Sequence, residues 1–352
     1  MPKLVFFGLD EHEQDVIWRA FAGPSGYEIA LHTEQLTIEN VSLARDADGI
    51  GIFVLSRITR EVLDRLPNLK MIATMSTGFD HIDVDACRER NIAVCNVPRY
   101  GDATVAEFAF GLILALVRRF RPTFERVDRG DFSRAGLQGM DLSGKTLGLI
   151  GTGRIGSHLA RIAHAAGMKV IAYDTRPNPA LTEEYGVRYM DLNDLLSEAD
   201  VISLHVPYTE ATHHLINAER LRLVKPTALL VNTARGGVVD TRAVADALRE
   251  GRLAGVALDT FEGERVWIEE EFAGADEAPA DELRDALESF SLLHSDRAIL
   301  TPHNAFNTRE AVERILATSI ENIKAFFAGN PQNVVAGTYR MPAAAPTGGR
   351  GA

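Results

Sequence analysis

The stretch from 146 to 156 constrains this chain more than any other. The apolar run TLGLI (146 to 150) leads directly into Gly151-Thr152-Gly153-Arg154-Ile155-Gly156, and a helical pattern follows to Ala166, where Gly167 stops it. In a strand, a glycine turn and a helix in that order, the three glycines serve the tight turn, close backbone approach to a pyrophosphate, and close packing of helix on strand. Alone, the GxGxxG spacing fits any glycine turn. Here a second strand, KVIAY (169 to 173), follows and ends in Asp174, 23 residues after Gly151. An acid about 20 residues on is where the ribose hydroxyls of a dinucleotide are met. A carboxylate there favours NAD over NADP, because it bonds free hydroxyls and repels a phosphate. Arg176 is able to pair such a phosphate, and reads as a solvated loop charge while Asp174 stands.

This segment belongs to a series. TLGLI, KVIAY, VISLH (201 to 205), ALLVN (228 to 232), GVALD (255 to 259) and AILTP (298 to 302) are six strands separated by helical stretches, the pattern of a doubly wound α/β sheet. An earlier series has KLVFF (3 to 7), GIGIFV (49 to 54), KMIATM (70 to 75) and IAVCN (92 to 96) as its clearest strands, with helix-like stretches at Arg60 to Leu66 and Val84 to Arg90. Asp102 to Arg119 is too continuously apolar for a one-faced surface helix and is expected to be buried between domains or subunits. Arg309 to Phe327 is amphipathic, and a discontinuous first domain made of both chain ends is the natural arrangement. The tail 341–352, rich in Pro and Gly, is expected to be disordered.

Composition narrows the function classes. A length of 352 residues, 46% hydrophobic and 24% charged, is that of a globular chain of about two domains. The longest unbroken apolar run, Phe108 to Val117, is about half of the ~20 residues that a membrane span needs. The start MPKLVFFGLDEHE has neither an h-region nor a small-residue cleavage site, so a cytoplasmic protein is expected. Only Cys87 and Cys95 are present, without C-x-x-C spacing, and both read as reduced core thiols. The net charge of -12 argues against nucleic acid as a partner. Much of it is local: residues 262 to 296 hold twelve Asp or Glu against Arg265 and Arg284, which reads as a solvated insert.

In open parallel sheets ligands bind beyond the carboxyl ends of the strands. Used as a filter, that rule selects His205 and Pro207, then Thr233, Ala234 and Arg235, then Asp259 to Glu264, then His303. With the glycine turn and Asp174 added, the cofactor candidates are Gly151, Gly153, Arg154, Ile155, Gly156, Asp174, His205, Pro207, Thr233, Ala234 and Asp259, and Val206 and Thr212 are counted with them. Arg235 stands between a buried strand and two glycines, so its planar fork suits either a carboxylate or an ion pair that holds the turn. His303 is either a proton carrier or a satisfied loop histidine. Spacing alone does not separate Glu264 from its acidic neighbours Glu262 and Glu269. His213 and His214 are adjacent, lack a carboxylate or cysteine at ligand spacing, and read as solvated; no metal site is expected.

NTARGGVVD (232 to 240), ALDTFEGE (257 to 264) and TPHNAF (301 to 306), with GTGRIG upstream, resemble the D-2-hydroxyacid dehydrogenase family, and are most similar to its D-lactate dehydrogenase branch. MSTGFDHID (75 to 83) and NVPRYGDATVAEFA (96 to 109) extend the resemblance over about residues 45 to 335. It implies a Rossmann-type doubly wound NAD domain, 101–302, inserted in a discontinuous flavodoxin-like substrate domain, 1–100 and 303–340. It further implies catalysis by Arg235, Glu264 and His303, a homodimer built on the NAD domain, and a small 2-keto or 2-hydroxy acid as the partner molecule. The second acid of FEGE matches the family's catalytic glutamate. Phe53, Thr77, Gly78, Tyr100, Arg235 and Phe306 match its substrate-contacting positions. Two departures bear on substrate identity: the 39 residues from Glu264 to His303 are more than the branch has, and Phe53 falls where it often has a tyrosine. The alternatives are a dehydrogenase for bulkier keto acids, glyoxylate or hydroxypyruvate, or phosphite, and a non-catalytic NAD-sensing corepressor-like scaffold.

Overall fold

The computed structural model describes residues 1–22, 26–264, 287, 290 and 292–335; most of the acidic stretch and the tail 341–352 lie outside them. The chain forms two compact units, Met1–Tyr100 with Thr308–Ala352, and Gly101–Asn307. The return to the first unit thus falls after Asn307, so that His303 and Phe306 belong to the second unit with Arg235 and Glu264.

The first unit starts with β1 (Lys3–Phe6), α1 (Glu11–Phe21), β2 (Glu28–Leu31), β3 (Gly49–Ile52), α2 (Arg60–Asp64), β4 (Met71–Thr74), α3 (Val84–Glu89) and β5 (Ala93–Cys95). Its sheet is parallel in the order β2-β1-β3-β4-β5, the flavodoxin-like arrangement. β3, β4 and β5 are buried at every position, as a strand covered on both faces must be. Asp10 opens α1 with a reciprocal capping box to Glu13.

The second unit runs α4 (Asp102–Val117), α5 (Phe120–Asp128), β6 (Thr146–Ile150), α6 (Arg154–Ala165), β7 (Lys169–Tyr173), α7 (Pro179–Tyr185), β8 (Arg188–Tyr189), α8 (Leu192–Glu198), β9 (Val201–Leu204), β10 (Leu229–Asn232), α9 (Thr241–Arg249), β11 (Gly255–Leu258) and β12 (Ala298–Leu300). Its seven-stranded parallel sheet has the order β12-β11-β10-β9-β6-β7-β8. The order reverses between β6 and β9, and such a switch point is where a doubly wound sheet takes its ligand. α10 (Arg309–Phe327) then closes the first unit against β4 and α1.

The continuous apolar pattern of α4 has its explanation inside the second unit. Ala106, Ala109, Leu112, Ile113 and Val117 enter the core with Leu147, Leu149, Val231 and Ala257, and the helix packs along α6. α5 is different. Only Pro122 of it is buried, while Phe120, Phe124 and Val127 stand 41%, 61% and 45% exposed. Among the described residues no helix is long and apolar enough to cross a membrane.

Candidate active site

The turn after β6 is shaped for an anion. Gly151 sits at φ +96°, and a Cβ there would stand 2.6 Å from the carbonyl oxygen of His205. A Cβ on Gly156 would collide with the Gly151 carbonyl oxygen, so helix and turn touch backbone to backbone. At Gly153 nothing lies within 4 Å of a Cβ position, and α6 has no side-chain cap. The first turn of α6 thus presents the positive end of the helix dipole beside the glycine turn, which fits a pyrophosphate.

Asp174 follows β7 beside that turn. One carboxylate oxygen accepts the Thr152 N–H (2.6 Å) and hydroxyl (3.1 Å), and the other accepts the Arg176 N–H (2.8 Å). Burial pushes its pKa up, but the N–H bonds of Thr152 and Arg176, the Thr152 hydroxyl and the Arg176 charge together hold it below the ordinary carboxylate value. The group is an anion. Of its roughly four acceptor positions these donors take three, leaving room for a hydroxyl on Oδ1. Tyr189 donates its OH to the Thr152 hydroxyl (3.0 Å) and accepts the Asn178 N–H (2.9 Å), fixing the edge of the turn.

Beyond β9, His205 Nε2 lies 2.9 Å from the Ser203 hydroxyl, and burial pushes its pKa down to about 4. It is neutral at physiological pH. Val206 packs against Gly151, while Pro207 and Thr212 are joined through the Thr212 hydroxyl to the Pro207 carbonyl (2.7 Å). Thr233, at the end of β10, is buried, and its hydroxyl has no hydrogen-bond partner among the described residues. A buried hydroxyl without a partner is costly. A polar ligand group beside it would remove that cost, and this orphan is a second feature that fits a cofactor.

Arg235 begins a tight 3-10 turn, Gly236–Val238. Asn232, wholly buried at the end of β10, donates to the Arg235 carbonyl (2.9 Å) and the Thr260 carbonyl (3.1 Å), and accepts the Ala234 N–H (3.0 Å). The two glycines allow close packing: a Cβ on Gly236 would stand 2.5 Å from the Phe261 carbonyl carbon, and one on Gly237 2.7 Å from the Tyr208 ring.

His303 takes the left-handed conformation, φ +52°, which for a non-glycine residue persists only where the surroundings impose it. Asp259 imposes it. Its wholly buried carboxylate accepts the Thr301 hydroxyl (2.6 Å) and the N–H groups of Asn304 (2.8 Å) and Ala305 (2.9 Å), and its carbonyl accepts the His303 N–H (3.0 Å). The imidazole Nδ1 then lies 3.3 Å from Glu264 Oε1, with both side chains less than one-fifth exposed. Glu264 Oε2 accepts the Phe261 N–H (3.3 Å), and the Phe306 ring stands edge-on to His303 at 6.4 Å.

The remaining substrate candidates lie on the first unit. Phe53 directly follows β3, and the Thr77–Gly78 turn follows β4. The turn is held by Ser76 donating to the Gly78 carbonyl (2.6 Å), Thr77 to the Val97 carbonyl (2.8 Å) and Asn96 to the Thr77 carbonyl (2.7 Å). Tyr100 ends the unit's first segment, its carbonyl accepting Nε of Arg314 (2.7 Å).

His214 is not the solvated side chain that its position in the sequence predicts. The chain returns it to Glu262, with Nε2 2.6 Å from Oε1, and stacks it on His213 at 3.9 Å. No spacing announces a pair 48 residues apart. Asn232 does carry a signal in the sequence, as a polar residue closing an otherwise apolar strand.

The family described as D-isomer specific 2-hydroxyacid dehydrogenase, NAD binding domain, matches residues 110–305. The 2-hydroxyacid dehydrogenase homolog of Zymomonas mobilis is 38% identical over 86% of this chain and 91% of its own. The glyoxylate reductase of Thermococcus litoralis is also 38% identical, over 83% of this chain and 84% of that one. The D-lactate dehydrogenase of Aquifex aeolicus, solved with NAD and lactic acid, superposes with a TM-score of 0.85 at 38% identity, covering 93% of this chain and 96% of that one. With the glycine turn, the anionic Asp174 and the Rossmann strand order on one unit, this chain belongs to the D-2-hydroxyacid dehydrogenase family and is an NAD-dependent enzyme of it.

Proposed function

We propose that the protein interconverts a 2-keto acid and a D-2-hydroxy acid of about the size of pyruvate and lactate, in the cytoplasm, as a homodimer. The observation that carries this reading is the contact of His303 with Glu264 on the unit that also holds Arg235. Arg235 grips the substrate carboxylate with its two-pronged fork. Glu264 orients the imidazole through Nδ1, which leaves Nε2 to give a proton to the C2 oxygen in reduction and to take it back in oxidation. NAD, when bound, supplies or accepts the hydride at C2. Arg235 and His303 offset the negative charge that develops on the C2 oxygen. Thr77, Gly78, Phe53, Tyr100 and Phe306 match the family's substrate-contacting positions. Gly151, Gly153, Arg154, Ile155, Gly156, Asp174, His205, Val206, Pro207, Thr212, Thr233 and Ala234 are the cofactor contacts, and Asp259, wholly buried, acts through the turn it holds. The relatives named above include both a lactate and a glyoxylate enzyme, so the test is a panel. NADH consumption is followed with pyruvate, glyoxylate, hydroxypyruvate and bulkier 2-keto acids, and NAD reduction with phosphite. The expected result is the highest kcat/KM on pyruvate. A preference for another acid moves the substrate, and no turnover on any of them returns the protein to the scaffold reading.

A further inference from the structure

We propose that His214 and Glu262 form a positioning pair that locks the Arg235 turn against the loop carrying Glu264; this rests on the catalytic roles proposed above. Three segments meet at the pair. The first is the cofactor loop from Val206 to His214, whose His214 N–H donates to the Gly237 carbonyl (2.8 Å). The second is the turn Arg235–Val239, continued by α9, whose first residue Thr241 donates its N–H to Glu262 Oε2 (3.1 Å). The third is the loop Phe261–Glu264, whose backbone touches Gly236.

His214 Nε2 closes on Glu262 Oε1 at 2.6 Å, with the two side chains 35% and 18% exposed. One carboxylate therefore joins the imidazole of the cofactor loop to the first turn of α9, and the Gly236–Gly237 turn is enclosed between them. The glycines make this enclosure possible, and beside the bonds from Asn232 and the His214 N–H the pair ties the turn and α9 to the Phe261–Glu264 loop. Glu262 is two residues from Glu264, so a shift of its backbone moves the carboxylate that orients His303. A displacement on the order of 1 Å at such a site costs catalysis far more than it costs folding.

The test compares Glu262→Ala, His214→Ala, their double variant and the conservative Glu262→Gln, each with NADH bound. Glu262→Ala is expected to lower kcat/KM for the keto acid by about tenfold, mainly through KM, with the NADH Kd changed by less than about twofold. In the double variant the loss should match that of the single ones, as for two halves of one contact. Glu262→Gln should recover most of the activity, since an amide can still accept from Thr241 and donate to a neutral imidazole. Amide hydrogen exchange over residues 235–241 should accelerate in both alanine variants, a readout that needs no turnover. A wild type inactive on every keto acid would sink the proposed reaction and leave the exchange result to decide the pair. Unchanged exchange, strictly additive losses, or a fall in thermal stability with kcat/KM intact would overturn the pair's positioning role.

Discussion

At the scale of single residues, the second unit spends buried polar groups on holding others in place. Asn232 holds the turn at Arg235, and Asp259 holds the turn at His303. His205 differs in that burial alone sets its state. With a pKa of about 4 folded against about 6.5 unfolded, the unfolded chain holds more protons between those values. The stability of its neutral form is therefore present above pH 6.5 and is lost as pH falls toward 4. At about 1.4 kcal/mol per pH unit the full effect is of order 3 kcal/mol. His205→Asn should lose less thermal stability than the wild type between pH 7 and 4.5. Parallel Tm curves would show that another group carries the acid limb. The place of a polar side chain was legible wherever it follows an apolar strand, as at Asp174 after β7 and Arg235 after β10. The partners of His214 and Asp259 were not, because they come from distant stretches of chain.

At the scale of elements, the strand, turn and helix from 146 to 165 form the most local device in the protein. Its requirements are written in consecutive residues, and Gly156 is the tightest of them. Gly156→Ala should push α6 off the turn, weaken NADH binding by more than about tenfold and lower Tm, as measured by fluorescence titration and calorimetry. Retained affinity would mean that the helix end does not hold the pyrophosphate. The strands covered on both faces were readable as apolar runs, whereas β2 and β8 were not. Both are edge strands: EIAL is at most half-buried and RY only two residues long, so neither has an apolar run to show. The boundary after Asn307 was also hidden, because the turn that supports His303 continues past the last strand.

At the scale of the whole molecule, the exposed apolar stripe of α5 is the feature that a solitary chain does not explain. Phe120 and Phe124 stack at 5.6 Å, and Phe132 beyond them is 79% exposed. Exposed rings clustered in this way are the mark of an interaction surface, and the proposed homodimer through the NAD domain would cover them. Phe124→Asp should convert a dimer to monomers in sedimentation while leaving the NADH Kd within about twofold. A monomeric wild type would remove the dimer proposal. The sequence by itself determined the cofactor turn, the parallel α/β class and the types of residue at the strand ends, because each depends on neighbours in the chain or on alternation along it. Only the tertiary structure decided which acid meets which histidine. Glu264 reaches His303 and Glu262 reaches His214 because parallel strands deliver their carboxyl ends to one edge of the sheet, however far apart those ends lie in sequence.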